Sequence, residues 1–513
     1  MILVRVSKNW APSPGRLEGS WVWTLVIYRL LISLVVVSKL SAAVTVDTVD
    51  ALMSTIDQAT ADSNADRTIL IEDGTYRLKW PHLWIGRDGV TIAGKSGNRD
   101  AVVLKGQRGM NGGQIEFIFQ VSADDVTIRD LTLEDVGSHA IIIHGEPPYD
   151  ADRTTLSNLV IRDTFEQMVK VTPSNTDPAL FYSEGGVLED CLLEYTAGLG
   201  PQFYIGGIDA HGAKDWIVRR NVFRNIRSPS QSVAEHAVHF WSWSRGTLVE
   251  NNLIINCDRG IGFGLSNSGH VGGIIRNNII FHDAQNPGGF ADVSIEALHS
   301  DGAQIYNNTV WQAHSNYFAA IKNFESQNVT IANNLVQLYP GTGHGLNDAI
   351  WVSNGTGIVL SNAISAPNAN WFGSVATPAA IRVGQTGNFL HIRDASITQL
   401  IDQGTTNIAG LPNPFTDFDG HIRPQGKTID IGADEFRTSD PAYGLRLDWS
   451  NGVVRTTWQV RAGDWYQLER SPDLATQSWS TSGSAISADS QSLDAMDFSP
   501  TAARGFYRLV TLP

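Results

Sequence analysis

Cysteine is nearly absent: the 513 residues carry only two, Cys191 and Cys257. They stand far apart with no CxxC or His-rich context, so they imply neither zinc nor a disulfide framework. Each is expected to be a free buried thiol. Charge is also scarce, at 17% of residues, and positive charge scarcer still: Lys+Arg 37 against Asp+Glu 52, a formal net charge of −15. That balance argues against a general nucleic-acid or anionic-membrane binder, both of which need a basic electrostatic footprint. No nucleic-acid partner is expected. What the chain has instead is 42% hydrophobic residues, 48 glycines and 15 tryptophans. This excludes a disordered chain, provides core for two or three domains, and favours a β-rich protein over a helical bundle.

The segment WVWTLVIYRLLISLVVV (21–37) is apolar except for Arg29, follows Arg5, Lys8 and Arg16, and precedes Ser41-Ala42-Ala43. Small residues at the −3 and −1 positions of a cleavage after Ala43 make residues 1–43 an expected signal peptide. An uncleaved anchor is the alternative, and Arg29 in mid-segment weakens it. The mature chain is then secreted, periplasmic or on the cell surface, with no membrane span and as a monomer.

A repeat organises most of the remaining chain. VTIRDLTL (126–133), TTLSNLVI (154–161), GVLEDCLL (186–193), TLVENNLI (247–254), GIIRNNII (273–280) and VTIANNLV (329–336) share one frame. The corner position reads Asp130, Asn158, Asp190, Asn221, Asn252, Asn278, Asn308, Asn334 and Asn362, at spacings of 26 to 32 residues. Short strands of apolar period two, each ended by Asn and restarted at once, are not helices. Asn suits such a corner because it tolerates the left-handed region and its amide can bond to the corner above. A second apolar strand precedes each of these, among them MVKVT (168–172), GIDAHG (207–212), AVHFW (237–241), GIGFG (260–264), VSIEA (293–297) and AIKNF (320–324). Three short strands per turn predict a parallel β-helix.

This order of strand, loop, strand, Asn corner and strand resembles the right-handed parallel β-helix superfamily of pectate lyases, polygalacturonases and alginate or chondroitin lyases. The resemblance covers roughly 90–362 and implies an all-β, pectin lyase-like solenoid, not one reaction. Residues 48–85, with EDGTYRL (72–78), look like an N-terminal cap and first rung. FDGHIRPQGKTIDIGADE (418–435) resembles the closing segment of bacterial β-helix proteins. From about Tyr443 the pattern becomes LRLDW, VVRTTWQV, WYQLERS and GFYRLVTL with Gly/Ser/Asp turns. The expected domains are therefore a signal peptide (1–43), a capped β-helix (44–436) and a small antiparallel β-sandwich module (437–513) with no chemistry assigned.

In a parallel coil each residue stacks on its counterpart one rung away, about 4.8 Å along the axis. Registering the second strand set by its inward apolar residues predicts an outward column of Ile142, Lys170, Asp209, His239, Gly262, Ser294, Lys322 and Trp351. The next column reads His144, Thr172, His211, Trp241, Gly264, Glu296, Phe324 and Ser353. In the resembled superfamily this face floors the polysaccharide cleft. Lys170, Asp209, His211, His239 and Arg259 are the candidate catalytic groups, because titratable side chains converge in neighbouring rungs. Trp241 and Trp243 are candidates for stacking on sugar rings, with Glu296 and Lys322 as further substrate contacts. The duller reading pairs Lys170 with Asp209, and Lys322 with Glu296, as surface ion pairs. The glycines of Arg259-Gly-Ile-Gly-Phe-Gly are expected to leave room for a sugar.

A polysaccharide lyase needs a base for the proton beside a uronate carboxylate, a cation for the developing enolate and an acid for the leaving oxygen. Lys170, His211, His239 and Arg259 supply those types. Calcium is a candidate cofactor, with Asp209 or Glu235 as oxygen ligands, although no calcium-loop motif is present. A glycoside hydrolase needs two carboxyls about 5 Å or about 6.5–9.5 Å apart. Asp209 and Glu296, three rungs apart, stand about 14 Å from each other, which leaves Glu235 and Asp258 as the alternative carboxylate pair. An exported glycan-binding solenoid without catalysis is the third reading. The sequence thus predicts a polysaccharide-directed β-helix, with β-elimination the leading reaction.

Overall fold

In the computed structural model three parallel sheets wind around one apolar core. The structure describes residues 43–437, apart from 80–81, 107–115, 146–149, 173–179, 182, 231, 284–291, 315–317, 340–348, 380–381 and 407–415, together with strands between 443 and 512. The segment expected to direct export, residues 1–42, lies outside the described residues. No described helix is long and apolar enough to cross a membrane. Residues 42–438 form one compact unit, and the strands from 443 onward belong to another.

Among the described residues the sheets have twelve, ten and eleven strands, and each of the ten rungs from Leu83 onward contributes one strand to each. The chain runs from the ten-stranded sheet (as at His139–His144) to the twelve-stranded (Thr155–Ser157), turns a corner, and enters the eleven-stranded (Val160–Thr164). This is the all-β parallel β-helix that the repeat predicts. Inward residues stack in register: Val169, Ile208, Val238, Ile261, Ile295 and Ile321 follow one another in the ten-stranded sheet. Each is fully buried, so alternation of apolar residues fixes which face points in. Helix Val49–Ala61, capped by Thr48 accepting from the Ala51 amide, packs Leu52, Ile56 and Ala59 into the first rung.

The corner divides between two residues. One adopts positive φ: Asp130, Asn158, Asp190, Arg220, Asn251, Asn277, Asn307 and Asn333. The next residue carries the continuous Asn ladder, although Asn158 in the positive-φ slot also donates to Asp130 at 2.6 Å. From Asn221 through Asn252, Asn278, Asn308 and Asn334 to Asn362, each Asn Oδ1 accepts from the backbone and side-chain amides of the Asn one rung before. The expected single ladder is therefore corrected. Asp130, Asn158 and Asp190 occupy the positive-φ slot, and the ladder slot beside them holds Leu131, Leu159 and Cys191. Cys191 ends the ladder by donating its N–H to Asn221 Oδ1. Where the ladder is missing, the buried Arg99 guanidinium donates to the carbonyls of Leu159 and Asp190. Both cysteines are buried free thiols.

The three outer faces differ. On the twelve-stranded sheet Glu189, Arg219, Glu250 and Arg276 stack in one column and neutralise one another, with contacts of 2.8 Å (Arg219–Glu189) and 2.7 Å (Arg276–Glu250). The eleven-stranded face is covered: Leu253, Ile279, Phe281 and Trp311 pack against Phe372, Phe389, Leu400, Phe418 and Ile431 from the chain after the last rung. Asn251, Asn277, Asn307 and Asn333, the positive-φ residues, donate their side-chain amides to carbonyls of this covering segment. It includes the predicted closing sequence, in which Arg423 reaches Glu435 and the carbonyls of Asp430, Gly432 and Ala433. Asn307, the first residue of an Asn-Asn-Thr glycosylation pattern, is thereby buried and structural.

The second unit has two antiparallel sheets, one of Tyr443–Ser450, Val453–Gln459 and Ser492–Asp497, the other built on Trp465–Ser471 and Phe506–Leu512. Val454, Trp458, Tyr466, Leu468 and Leu509 form its shared core, as in a small sandwich.

Candidate functional site

The ten-stranded face carries buried histidines beside carboxylates and lysines, unlike the Glu/Arg column of the twelve-stranded face. Its observed column is Ile142, Lys170, Asp209, His239, Gly262, Glu296, Lys322 and Trp351. Glu296 thus stands where the sequence register put Ser294, and stacks between Gly262 and Lys322. The cause is strand Val293–Leu298, in which Val293 and Ile295 are both buried and share parity. Alternation cannot choose between two registers that differ by two residues; the observed one pairs Ile261 with Ile295.

Lys170, Asp209 and His211 meet. Lys170 Nζ contacts Asp209 Oδ2 and lies 2.9 Å from His211 Nε2, which is 3.4 Å from the same carboxylate. Trp241 Nε1 donates to Asp209 Oδ1 at 2.8 Å, and His239 Nδ1 lies 3.5 Å from that oxygen. Burial alone would raise the Asp209 pKa, but the hydrogen bond from His211 and the charges of Lys170, His239 and His211 hold it far below the usual carboxylate range. Asp209 is therefore a fixed anion, 3% exposed. The Trp241 ring stands edge-on to His211 at 4.4 Å between centroids and stacks on His239 at 5.7 Å, so its N–H bond and its neighbours fix its plane.

One rung on, His239 Nε2 lies 3.2 Å from the Gly264 carbonyl and Nδ1 lies 3.6 Å from Glu235 Oε2. Burial, then the neighbouring His236, pull the His239 pKa down to about 4, so the ring is neutral at pH 7. His236 is absent from the candidates that the sequence pattern singles out. It is fully buried, its ring centroid is 4.5 Å from that of His239, and Nε2 lies 3.2 Å from Glu296 Oε2. Lys322 Nζ donates to the other Glu296 oxygen at 2.5 Å. The glycine expected to admit a sugar admits this ring instead: a Cβ at 262 would fall 2.6 Å from His236 Nε2. Those at 260 and 264 would strike the carbonyls of Ser294 and Leu298.

The remaining candidates stand apart. Arg259 is held by Asp292 through Nε at 2.8 Å and Nη2 at 2.7 Å. Trp243 lies in a tight turn with φ +72 that comes after strand His236–Trp241, outside the column. Asp258 accepts from the Ser228 and Ala234 amides and is 1% exposed, with burial lifting its pKa to about 6. It anchors a loop and presents no carboxyl to a ligand beside Glu235. Among the described residues, three His/carboxylate groups are close enough to share a cation: Glu235–His236–His239, His391–Asp419–Asp434 and Asp417–Asp419–His421. The last two bond within the covering segment, as in His391 to Asp419 at 2.6 Å.

No protein-family model matches the chain, and no curated protein matches it. Solved structures similar to it include an alginate lyase from Paenibacillus sp. (16% identity, 58% of this chain and 96% of that one, TM-score 0.42). Another is the A-module of a mannuronan C-5 epimerase from Azotobacter vinelandii (14%, 63% and 96%, TM-score 0.39). A third is a mannuronic acid-specific family 6 lyase from human gut microbiota (15%, 59% and 77%, TM-score 0.35). Likeness at this level says nothing of what the chain acts on.

Proposed function

We propose that the protein is an exported polysaccharide lyase that cleaves a uronate-containing glycan by β-elimination on the ten-stranded face. The contact of Lys170, Asp209 and His211 carries this reading. In β-elimination a base removes the proton beside the carboxylate, the bond to the leaving glycosidic oxygen breaks, a C=C bond forms, and the leaving oxygen takes a proton. His211, whose imidazole meets both Lys170 and Asp209, is the proton acceptor. Lys170, 2.9 Å away, supplies positive charge where the enolate develops. Asp209 fixes both and keeps the group electrically balanced before substrate enters. Trp241, held by its indole N–H, offers its ring to a sugar.

The hydrolase reading is weaker, because Asp258 is 1% exposed and its Oδ2 already takes the Ser228 and Ala234 amides. A glycan-binding solenoid without cleavage is supported by the fact that Asp209 already pairs with Lys170. The test monitors ultraviolet absorbance of the unsaturated uronate while the protein meets a panel of uronate polysaccharides, with and without calcium. Lys170→Ala and His211→Gln are each expected to slow product formation by ~10²–10⁴-fold, the usual weight of a proton-transfer group. A flat trace from the unaltered protein on every polymer overturns the lyase reading.

A further inference from the structure

Beside the Lys170 group lies a set of polar atoms without hydrogen bonds. Glu235 Oε2, His239 Nδ1 and both ring nitrogens of His236 meet no hydrogen-bonding geometry, and all are screened from solvent. His236 is fully buried and His239 is 1% exposed. Orphaned polar atoms are rare in protein interiors, and several converging on one point ask for an occupant. We infer that Glu235, His236 and His239 form a binding site for one divalent transition-metal ion of the zinc type.

Three features support this. The ligand atoms lie within 4.8 Å of one another, with His239 Nδ1 3.6 Å from Glu235 Oε2. Atoms bound to a common zinc ion stand roughly 3–4 Å apart, so little movement is needed. The far nitrogens have the partners that ligating imidazoles use. His239 Nε2 faces the Gly264 carbonyl, which accepts only an N–H and so leaves the Nδ1 lone pair free. His236 Nε2 lies 3.2 Å from Glu296 Oε2, a carboxylate that can take its N–H and leave Nδ1 with a free lone pair, and Lys322 holds the other Glu296 oxygen. Finally, the donor set selects the ion. Two imidazoles and one carboxylate suit zinc and its neighbours, whereas calcium takes six to eight oxygens.

Glu235 is the most exposed ligand, with a quarter of its side chain accessible, so the ion would keep an open position toward the face that carries Asp209 and Lys170. The site goes beyond the elimination chemistry and does not depend on it, since an ion can bind whether or not glycan is cleaved.

The experiment uses untagged full-length protein stripped with a chelator and titrated with Zn(II) by calorimetry and with Co(II) by visible absorption. One ion per chain is expected, with Co(II) bands of a four- or five-coordinate nitrogen/oxygen site. His239→Gln and Glu235→Gln should each weaken binding by about 100-fold or more, beyond the ~10–100-fold that loss of a supporting partner brings. Glu235→Gln changes one atom of a side chain that is a quarter accessible, so it keeps the test valid should the histidine variants misfold. Lys170→Met should bind the ion as the unaltered protein does. No stoichiometric ion, or one held equally by the Glu235 and His239 variants, overturns the inference. Ion binding without any unsaturated product would sink the lyase reading alone, and product without ion binding would sink this one alone.

Discussion

A Cβ at position 262 would lie 2.6 Å from His236 Nε2, and the ring has Glu296 on one side and His239 on the other. Gly262→Ala is therefore expected to push the imidazole out of place and cost about 1–3 kcal/mol, as overpacking does. The chemical-denaturation midpoint should fall and Zn(II) affinity should drop with it. An unchanged midpoint and affinity would show that the ring has other room. His236 is hidden from sequence reading for a definite reason. It is an even step from the inward Val238 and Phe240, so alternation assigns it to the core, and only the gap over Gly262 lets its ring lie on the outer face. Lys170, Asp209, His211, His239 and Trp241 are legible because each keeps strict parity with stacked Ile and Val neighbours. Arg259 is legible as a charge near the face, but its binding to Asp292 depends on a contact 33 residues away.

Each ladder Asn is an element-scale device, closing its own corner and the one before it. Asn278 Nδ2 donates to Val249 O and Arg276 O, and its Oδ1 accepts from Asn252. Asn278→Ala would strand a buried carbonyl and a buried amide, each at ~1–3 kcal/mol. Hydrogen exchange at the Asn252 amide should accelerate and the unfolding midpoint should fall; an unaltered exchange rate there would mean the ladder is dispensable. The rung period is readable in these Asn residues, but the split between positive-φ and ladder slots is not. Asp, Asn and Arg all occupy the first slot, and doubled Asn-Asn pairs satisfy both, so composition alone lets the frame slip by one. The register error at Glu296 has the same origin: a period-two signal fixes the face and leaves sliding by two undetermined.

At the scale of the whole molecule, the covering segment shields one face of the solenoid, and a buried ion pair helps hold it. Burial alone would lower the His391 pKa, but the carboxylates of Asp419, Asp434 and Asp417 raise it to about 10, above its ordinary 6.5. A histidine pKa raised by folding contributes stability that is complete below 6.5 and is lost as pH climbs through 10. Melting temperature should therefore decline between pH 7 and 10 in the unaltered protein, and less steeply in His391→Gln; parallel declines would remove His391 from the account. The face left uncovered has its own dependence on the whole. Lys170, Asp209, His239, Glu296 and Lys322 belong to five of six successive turns, and the contacts of Lys170 with Asp209 and of Glu296 with Lys322 each join one turn to the next. A chain released midway through synthesis, or nicked between two of these turns, would keep well-formed coils and still present no working site. The proposed elimination would be a property of uninterrupted stacking, so its rate is expected to report breaks in the coil before any spectroscopic signal does.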